Sequence, residues 1–564
     1  MTSENHFEKL LYRLIALAVL AAALFFVCRI VYAGIIALPY PKELLEPSNI
    51  ALTNTFLQGR SPYTLSSLEW EVPPVNYDYP FLNSLIAAAI AKITCCSSVT
   101  AHFVISLISI IGSGIVGALM IKDQSRTPIA PAMAAIMFMF CHWRFGYISA
   151  APDDLGLFIT ILTMYLAVNP KVKNKPLCCS LGITLAFYTK QYFVVIAAGI
   201  FVYLLFYSRK EAFKLAIWTC AINAAIAAVI TEFWPLYWTK AFLFTYLGTV
   251  VGGGTELSTF FEQFKYLFIA FAALFIVIIV AAVMAVRRLR KNNEKLKNVK
   301  ILENDALAFC AINSFVMLVP LFILGRNDGA FLSYFLQLWL PSISITALIC
   351  LERMKPDDSL EPSDSQRSSA SEESSETISS NVSGKTNKYN QTGLVYIAIY
   401  AMIAVTSIYF GFGKLPLHIL TPEEISNWEK AYSYVDEYAK EGEVFYSRSL
   451  AYKAFAAGSS DCVYGHDGEV SDWTIKGLER AGVPVEHFPY IRKIVDQNIA
   501  FRQKQQQMAE NGDFALISAE KDEQFNPFCD DAPLQMGYQT LESLDLQLGN
   551  MPYEVVFYTP NSTL

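Results

Sequence analysis

The sequence predicts a polytopic α-helical membrane protein with about eleven transmembrane helices and a small C-terminal α/β domain outside the membrane. Of its 564 residues, 54% are hydrophobic and 16% are charged, whereas an average soluble domain has roughly 45–50% and about 25%. Apolar runs of about 20 residues, which suffice to cross roughly 30 Å of hydrocarbon, recur through the first 412 residues. Beyond them the composition becomes that of a soluble protein. A single-domain soluble enzyme is therefore excluded.

The distribution of Lys and Arg sets the expected topology. The runs predicted to span the bilayer are 14–36, 99–121, 127–147, 153–169, 176–189, 191–207, 213–233, 265–286, 304–325, 330–351 and 393–412. With the N-terminus in the cytoplasm, the basic loops 122–126, 169–176, 208–214, 287–300 and 352–355 all lie inside, as the positive-inside rule requires. The short apolar run 80–95 contains Asn83 and Lys92, and we expect it to lie in the outer interface. A multi-pass protein of the plasma membrane is predicted.

Four segments follow from this pattern. Residues 1–355 form a transmembrane domain with a first outer loop at 37–98, and 356–391 form a polar cytoplasmic linker that is too poor in apolar residues to fold. Residues 392–412 are the last transmembrane helix. Residues 413–564 alternate helical and strand-like patterns, with strands expected in GEVFYSRS, DFALIS and YEVVFYTP. The odd number of spans places this α/β domain outside the cell.

Ionisable residues gather at the outward-facing helix ends. They are Glu43, Glu46, Asp78, Asp153, Asp154, Lys190, Glu232, Lys240, Arg326 and Asp328. Such groups are costly near a bilayer and mark functional sites. A reaction between a membrane-borne donor and an outer acceptor needs a carboxylate as general base, and cations that hold an anionic leaving group. Glu43 or Glu46 can supply the base, and Lys190 with Arg326 can supply the cations.

Several motifs in order along residues 39–345 resemble a known family. They are PYPKELLEPSNIALTNTFLQGRSPYTL with VNYDYPFLNSLI, then APDDLGLF, FYTKQYF and GAFLSYFLQLWLP. Together they are similar to the GT-C fold glycosyltransferases, integral membrane enzymes that use polyprenyl-phosphate sugars, in their bacterial form. The resemblance implies a GT-C-like fold, a polyprenyl-phosphate-linked sugar donor and an acidic catalytic base in the first outer loop.

The resemblance also assigns residues. Counting back from Gly59 places the family's catalytic acid on Glu46, whereas counting forward from Pro41 places it on Glu43, and Glu46 is favoured. Asp153 takes the position of the acid in the second motif, although the arginine before it is replaced by Ala151. The remaining residues expected to bind substrate are Asp78, which interrupts the first-loop motif, Lys190, Gln191, Arg326 and Tyr334. Ser333 and Gln337 replace the Asn and Glu that are usual in the last motif.

The sequence thus predicts a membrane glycosyltransferase that moves a hexosyl or pentosyl group, with inversion, to an acceptor hydroxyl on the outer face. The acceptor is expected to be an envelope glycan, glycolipid or protein, and no nucleic-acid partner is predicted. The alternative is a transporter or flippase for a lipid-linked glycan, which would need sites reachable from both faces. No cofactor is required by this pattern, and it leaves open a divalent metal ion held by Asp78, Asp153 and Asp154.

Overall fold

The structure, a computed structural model, describes most of the chain. The described residues are 3–42, 46–70, 79–142, 149–244, 256–292, 305–326, 332–354, 395–406, 418–440, 442–459, 461–464, 467–521, 528, 532–548 and 551–561. The predicted cytoplasmic linker at 356–391 lies outside them.

The first part of the chain is almost entirely helical, as predicted. Its helices are α1 (Ser3–Ile36), α2 (Glu46–Leu57), α3 (Leu82–Thr94), α4 (Ser98–Lys122), α5 (Ile129–Phe140), α6 (Asp153–Val168), α7 (Lys175–Thr189), α8 (Ile196–Tyr207), α9 (Arg209–Phe233), α10 (Leu257–Ala270), α11 (Ala272–Asn292), α12 (Asp305–Val316), α13 (Leu318–Leu324), α14 (Leu332–Leu338), α15 (Leu340–Met354) and α16 (Val395–Thr406). Three shorter pieces occur at Leu65–Glu69 and Gln191–Val195, which are 3-10 turns, and at Thr239–Leu243, which is a π-helical turn.

The apolar helices differ from the predicted straight spans. Among the described residues, four helices are long and apolar enough to cross a membrane, and six do so if each of two bent pairs counts as one span. The first pair, α10 and α11, is bent by 79°, and the second, α14 and α15, by 49°. The runs predicted as single helices at 265–286 and 330–351 are therefore broken. Several apolar helices are confirmed, and the count of eleven stays a prediction.

Polar contacts join elements at one end of the helical bundle. Glu352, near the end of α15, accepts hydrogen bonds from the Arg126 backbone amide at 2.7 Å and the Thr127 hydroxyl at 3.0 Å. The Tyr400 hydroxyl of α16 also donates to Glu352. These contacts bring together the predicted inner loops 122–126 and 352–355, in agreement with the expectation that both lie on the same side.

The C-terminal region contains a mixed sheet and further helices. Its elements are α17 (Pro422–Tyr438), β1 (Phe445–Ser447), α18 (Ala451–Ala456), β2 (Cys462–Tyr464), α19 (Asp467–Ala481), α20 (Pro489–Glu510), β3 (Leu516–Glu520), α21 (Ala532–Gln535), β4 (Tyr538–Leu548) and β5 (Met551–Pro560), with a 3-10 turn at Val485–His487. The sheet formed by the described strands has the order β2-β1-β3-β5-β4, parallel across β2, β1 and β3 and antiparallel from β3 onward. β1, β3 and β5 coincide with the three predicted strands.

The C-terminal region packs directly on the first loop of the helical part. The Tyr452 hydroxyl donates to the Leu38 carbonyl and the Tyr432 hydroxyl to the Pro39 carbonyl, both at 2.8 Å. Tyr40 stacks on Tyr432 and on the fully buried Trp428, with ring centroids 5.6 and 5.8 Å away, and these two rings also contact each other at 5.7 Å. One apolar cluster therefore runs from the first loop into the core of the sheet region.

Candidate active site

The predicted site residues that are described lie at helix ends or breaks. Asp153 is the first residue of α6, where the positive end of the helix dipole favours a carboxylate. Lys190 follows the last residue of α7 in an extended conformation, and the 3-10 turn Gln191–Val195 begins directly after it. Close packing of α6 on this turn is possible because residue 156 is glycine: a Cβ there would lie 2.5 Å from the Phe193 ring.

Asp153 and Lys190 form a buried ion pair. The Lys190 Nζ lies 2.7 Å from Asp153 Oδ2, and each residue is 5% exposed or less. The ammonium also lies over the rings of Tyr79 and Tyr192, at 4.5 and 5.1 Å from their centroids. A pair so well shielded from water is costly to form unless further contacts satisfy both charges. Buried ion pairs of this kind are common at functional sites in membrane proteins.

Three side chains complete the surroundings of Asp153. Gln337 Nε2 donates to Asp153 Oδ1 at 3.3 Å. The Tyr192 hydroxyl lies 3.2 Å from the same oxygen and also contacts Gln337 Oε1, so its single proton is shared between these two acceptors. The Tyr334 ring packs edge-on against Tyr192, with centroids 5.2 Å apart. The structure therefore brings the predicted residues Asp153, Lys190 and Tyr334 together.

The predicted base, Glu46, is held by backbone donors. It is the first residue of α2 and 1% exposed. Its Oε2 accepts from the Lys42 amide at 2.5 Å, and its Oε1 accepts from the Ala150 amide at 2.8 Å. The Lys42 ammonium lies 3.7 Å from Oε1. The carboxylate thus fastens the start of the first loop to the segment that leads into Asp153.

A buried histidine, His102, belongs to a hydrogen-bond network that reaches the Ala150 peptide, to which Glu46 bonds. The Thr53 hydroxyl donates to the Asn49 carbonyl at 2.9 Å, so the contact of 2.8 Å between His102 Nε2 and Thr53 Oγ1 has the imidazole as donor. The other nitrogen, Nδ1, then accepts from Asn83 at 3.3 Å, and Asn83 also donates to the Ala150 carbonyl. The chain of contacts links α2, α3 and α4 to the peptide that binds Glu46.

A second buried histidine holds the start of α6. His142 Nδ1 lies 2.9 Å from Asp154 Oδ1, and His142 Nε2 lies 2.7 Å from the Ser113 hydroxyl. Ser113 is fully buried, so a substrate does not reach it as it would a catalytic serine. The three residues tie α4 and the end of α5 to the helix turn that carries Asp153.

The other predicted residues are placed differently. The Arg326 guanidinium lies over the Phe322 ring, 4.9 Å from its centroid. Its buried Nε has no hydrogen-bond partner within the described ranges, and its predicted contact with substrate stays a prediction. Gln191 begins the 3-10 turn beside Lys190, and its predicted substrate contact stays a prediction. Glu43 and Asp78 lie outside the described residues.

The carboxylates proposed to share a metal ion have separate partners. Asp153 pairs with Lys190 and Asp154 with His142. In the part of the chain that the structure describes, no group of three or more His, Cys, Asp and Glu side chains is arranged to hold a metal ion. Asp78 lies beyond that part.

Sequence reasoning missed two residues of this cluster, Tyr192 and Gln337. Tyr192 is two residues after Lys190 in the FYTKQYF motif, and Gln337 is three residues after Tyr334 on the same face of α14. Gln337 replaces the glutamate that is usual in the resembling family, so the motif assigns it no role. The signal that could have found it is a buried amide in an otherwise apolar helix, which needs hydrogen-bond partners.

Comparison with known proteins agrees with the fold. No family model matches the sequence, and no curated protein matches it. The crystal structure of ArnT from Cupriavidus metallidurans bound to undecaprenyl phosphate matches with a TM-score of 0.55 and 12% identity, over 97% of this chain and 98% of that chain. The same protein in the apo state matches with a TM-score of 0.50 and 12% identity, over 96% and 98%. The resemblance to GT-C glycosyltransferases is therefore confirmed at the level of the fold, over nearly the whole chain.

Proposed function

We propose that this protein is an integral membrane glycosyltransferase that takes a sugar from a polyprenyl-phosphate carrier and transfers it to an acceptor hydroxyl. The observation that carries the proposal is the buried cluster of Asp153, Lys190, Tyr192 and Gln337 beside the first loop. The proposal is supported by the fold, which is similar to that of a protein solved with undecaprenyl phosphate bound. We place this cluster and the C-terminal region on the outer face, under the topology of eleven spans.

The proposed reaction is a single inverting displacement. The acceptor oxygen attacks the anomeric carbon while a first-loop carboxylate removes its proton, and the bond from that carbon to the phosphate oxygen breaks. The products are the glycosylated acceptor and the polyprenyl phosphate. Lys190 and Arg326 stabilise the charge that develops on the departing phosphate. Asp153, Tyr192 and Gln337 keep the ammonium in position, and Tyr334 packs behind them.

The base is proposed to be Glu46, with Glu43 as the other candidate. Two backbone amides orient the Glu46 carboxylate, and each oxygen retains a second acceptor position. A glutamine at position 46 would turn an NH₂ group toward one of those amides. Loss of activity in E46Q is consequently ambiguous unless folding is also measured.

The test uses purified protein in nanodiscs with labelled polyprenyl-phosphate sugar and an envelope extract as acceptor. We expect E46Q to lower kcat by about 10²-fold or more. E211Q is the matched control, since Glu211 is a surface residue paired with Lys214. Thermal unfolding of E46Q distinguishes two causes of lost activity. Loss of the base alone leaves the Tm unchanged, whereas loss of the hydrogen bonds that anchor the first loop lowers it.

Three outcomes are distinguishable. An E43Q variant that is inactive but stable, beside an E46Q variant that keeps wild-type turnover, identifies Glu43 as the base. Full turnover in both variants would refute a first-loop base. Absence of any donor cleavage by the wild-type protein, with every envelope extract tried, would refute the proposed function itself.

A further inference from the structure

A cleft of about 710 Å³ lies between the first loop and the C-terminal region, outside the cluster described above. One wall is the 3-10 turn Leu65–Glu69 with Trp70, and the other is a face of α20. Lys493, Asp496 and Lys504 share that face, because their spacing of three and eight residues brings them to one side of a helix. The volume falls in the range of roughly 300–1,000 Å³ that is usual for small-molecule sites.

The two walls are held at a defined separation. Gln497 Nε2 on α20 donates to the Ser67 carbonyl at 3.1 Å. On the first-loop side, the buried Lys240 ammonium donates to the Pro62 carbonyl at 2.9 Å and lies 3.4 Å from the Ser67 hydroxyl. Leu68 packs into an apolar cluster with Ile491 and Ile494 of α20. The cleft is therefore a preformed feature of the folded chain.

The lining combines one aromatic face with charged and amide groups. The Arg60 guanidinium lies 3.8 Å from the centroid of the Trp70 ring, which covers part of the indole and fixes its orientation. Glu69 and Asp496 offer acceptors, Lys493 and Lys504 offer donors, and Arg492 contacts Asp496 at 3.0 Å. Most of these groups are exposed at the rim, whereas Phe501 is buried at the base.

This combination fits a saccharide better than a lipid or a flat apolar ligand. A pyranose has a CH face that packs on an indole and a rim of hydroxyls, each of which donates and accepts a hydrogen bond. Both donors and acceptors are therefore needed around the ring, and the cleft supplies both. An acyl chain would leave the charged rim unused.

We propose that this cleft is a saccharide-binding site that holds the glycan part of the acceptor beside the first loop. This inference rests on the proposed function. The same segment, residues 46–70, begins with Glu46 and ends at Trp70, so a ligand in the cleft contacts the loop that carries the candidate base.

Binding is measured on the full chain in nanodiscs, without donor, against immobilised short oligosaccharides of neutral and acidic composition. We expect wild-type protein to bind members of this panel and W70A to bind them about tenfold or more weakly, since the indole face is lost. D496N, which removes an acceptor without changing the side-chain shape, should also weaken binding. W218A is the matched control, because Trp218 is an exposed tryptophan on α9, outside the cleft.

Absence of oligosaccharide binding by the wild-type protein would overturn the inference, and so would equal binding by W70A. Binding of a random peptide library, sensitive to W70A, in place of saccharides would also overturn it and indicate a protein partner. Donor cleavage by the wild-type protein is measured separately. If the wild-type protein cleaves donor but does not bind saccharides, only the proposed saccharide site is refuted. If it binds saccharides but does not cleave donor, only the proposed reaction is refuted.

Discussion

At the scale of single residues, the site depends on charged side chains that are buried, in surroundings that normally favour the uncharged form of such groups. Lys190 and Asp153 are both buried, and each is satisfied by the other and by neighbouring polar and aromatic groups. The arrangement has two consequences. Removing one partner leaves an unpaired buried charge, which costs about 3–5 kcal/mol. A phosphate that approaches Lys190 meets an ammonium already desolvated by the protein.

The double variant K190M/D153N tests the role of this ammonium. Both charges are removed together, so the fold is not left with an unpaired ion. We expect kcat/KM for the polyprenyl-phosphate sugar to fall by about 10²-fold or more, because the cation that we propose to face the phosphate is lost. Steady-state kinetics at varied donor concentration provide the measurement.

The control is K214M, which removes a surface lysine whose pair with Glu211 contributes about 0–1 kcal/mol. Wild-type kcat/KM in the double variant, with K214M also unchanged, would rule out Lys190 as a phosphate contact.

Glu520 provides a test by pH in the C-terminal region. It is 2% exposed at the end of β3, and its Oε1 accepts from the Ser449 amide at 3.2 Å. Burial raises the pKa of this carboxyl, with the charge of Arg448 opposing the shift. The folded protein therefore binds the proton more tightly than the unfolded chain does. This contribution to stability is present below the unfolded pKa and is lost as the pH rises through the folded pKa.

Replacing Glu520 by Gln should remove the loss of stability that accompanies the ionisation of this carboxyl. We expect the Tm of E520Q to fall less than that of the wild-type protein as the pH rises from the usual carboxyl range toward neutrality. Thermal unfolding of the full chain across this range measures the two slopes. Identical slopes would show that Glu520 does not titrate with a raised pKa.

At the scale of elements, close helix packing positions the site. α6 packs along α7 and on the 3-10 turn that follows it, and a glycine lies at one contact of each kind. A Cβ on Gly156 would lie 2.5 Å from the Phe193 ring, next to Lys190, and a Cβ on Gly182 would lie 2.1 Å from Thr163 Oγ1. Phe193 and Thr163 are both buried, so neither side chain can rotate away freely. Small residues at such contacts are typical of membrane helices.

G156A and G182A form a matched pair at these contacts. Each adds one methyl group to the α6 side or the α7 side of the packed helices, and overpacking of this kind costs about 1–3 kcal/mol. Only G156A displaces the 3-10 turn that follows Lys190. We expect both variants to lower Tm but G156A alone to raise the KM for donor. An equal change in KM in both variants would contradict this separation.

Sequence reasoning located the main elements but not their breaks. The predicted run 265–286 has no proline or glycine to mark the bend at Phe271, whereas Pro341, the second residue of α15, lies two residues after the bend at Trp339 and is a signal that the hydropathy pattern passes over. A bend depends on what the helix packs against, which hydropathy does not report. The sequence analysis does not predict β4, although polar and apolar residues alternate in TLESLDLQL. The many polar residues of this segment are also typical of a loop.

At the scale of the whole molecule, the C-terminal region supports the first loop. Tyr432 and Tyr452 donate to consecutive carbonyls, Pro39 and Leu38, just before the Lys42 amide that holds Glu46. Burial, to which the charge of Glu46 adds, raises the pKa of Tyr452, so its hydroxyl remains a donor at neutral pH. The position of the candidate base therefore depends on a region more than 370 residues later in the chain.

The double variant Y432F/Y452F removes both donors and little else. The half-buried Leu38 carbonyl and the exposed Pro39 carbonyl lose their donors, which costs only about 0.5–1.5 kcal/mol each because water can replace them. We expect faster hydrogen exchange at the Lys42 amide, a lower Tm and a reduced kcat. Y434F is the control, because Tyr434 bonds to Glu542 within the C-terminal region. Unchanged exchange at Lys42 would show that the first loop holds its shape without this support.

The sequence by itself determined the polytopic helical class, the side on which the basic loops are expected and the individual residues Asp153, Lys190 and Tyr334. The class, the expected topology and the two charged residues depend on composition and local pattern, whereas Tyr334 was assigned by the family resemblance alone. Only the tertiary structure decided that Gln337 and Tyr192 share the acid of residue 153, that Glu46 bonds to the Ala150 amide and that distant tyrosines hold the first loop. Such contacts join residues separated by up to 414 positions, and their geometry depends on the packing of whole helices, which no local pattern encodes.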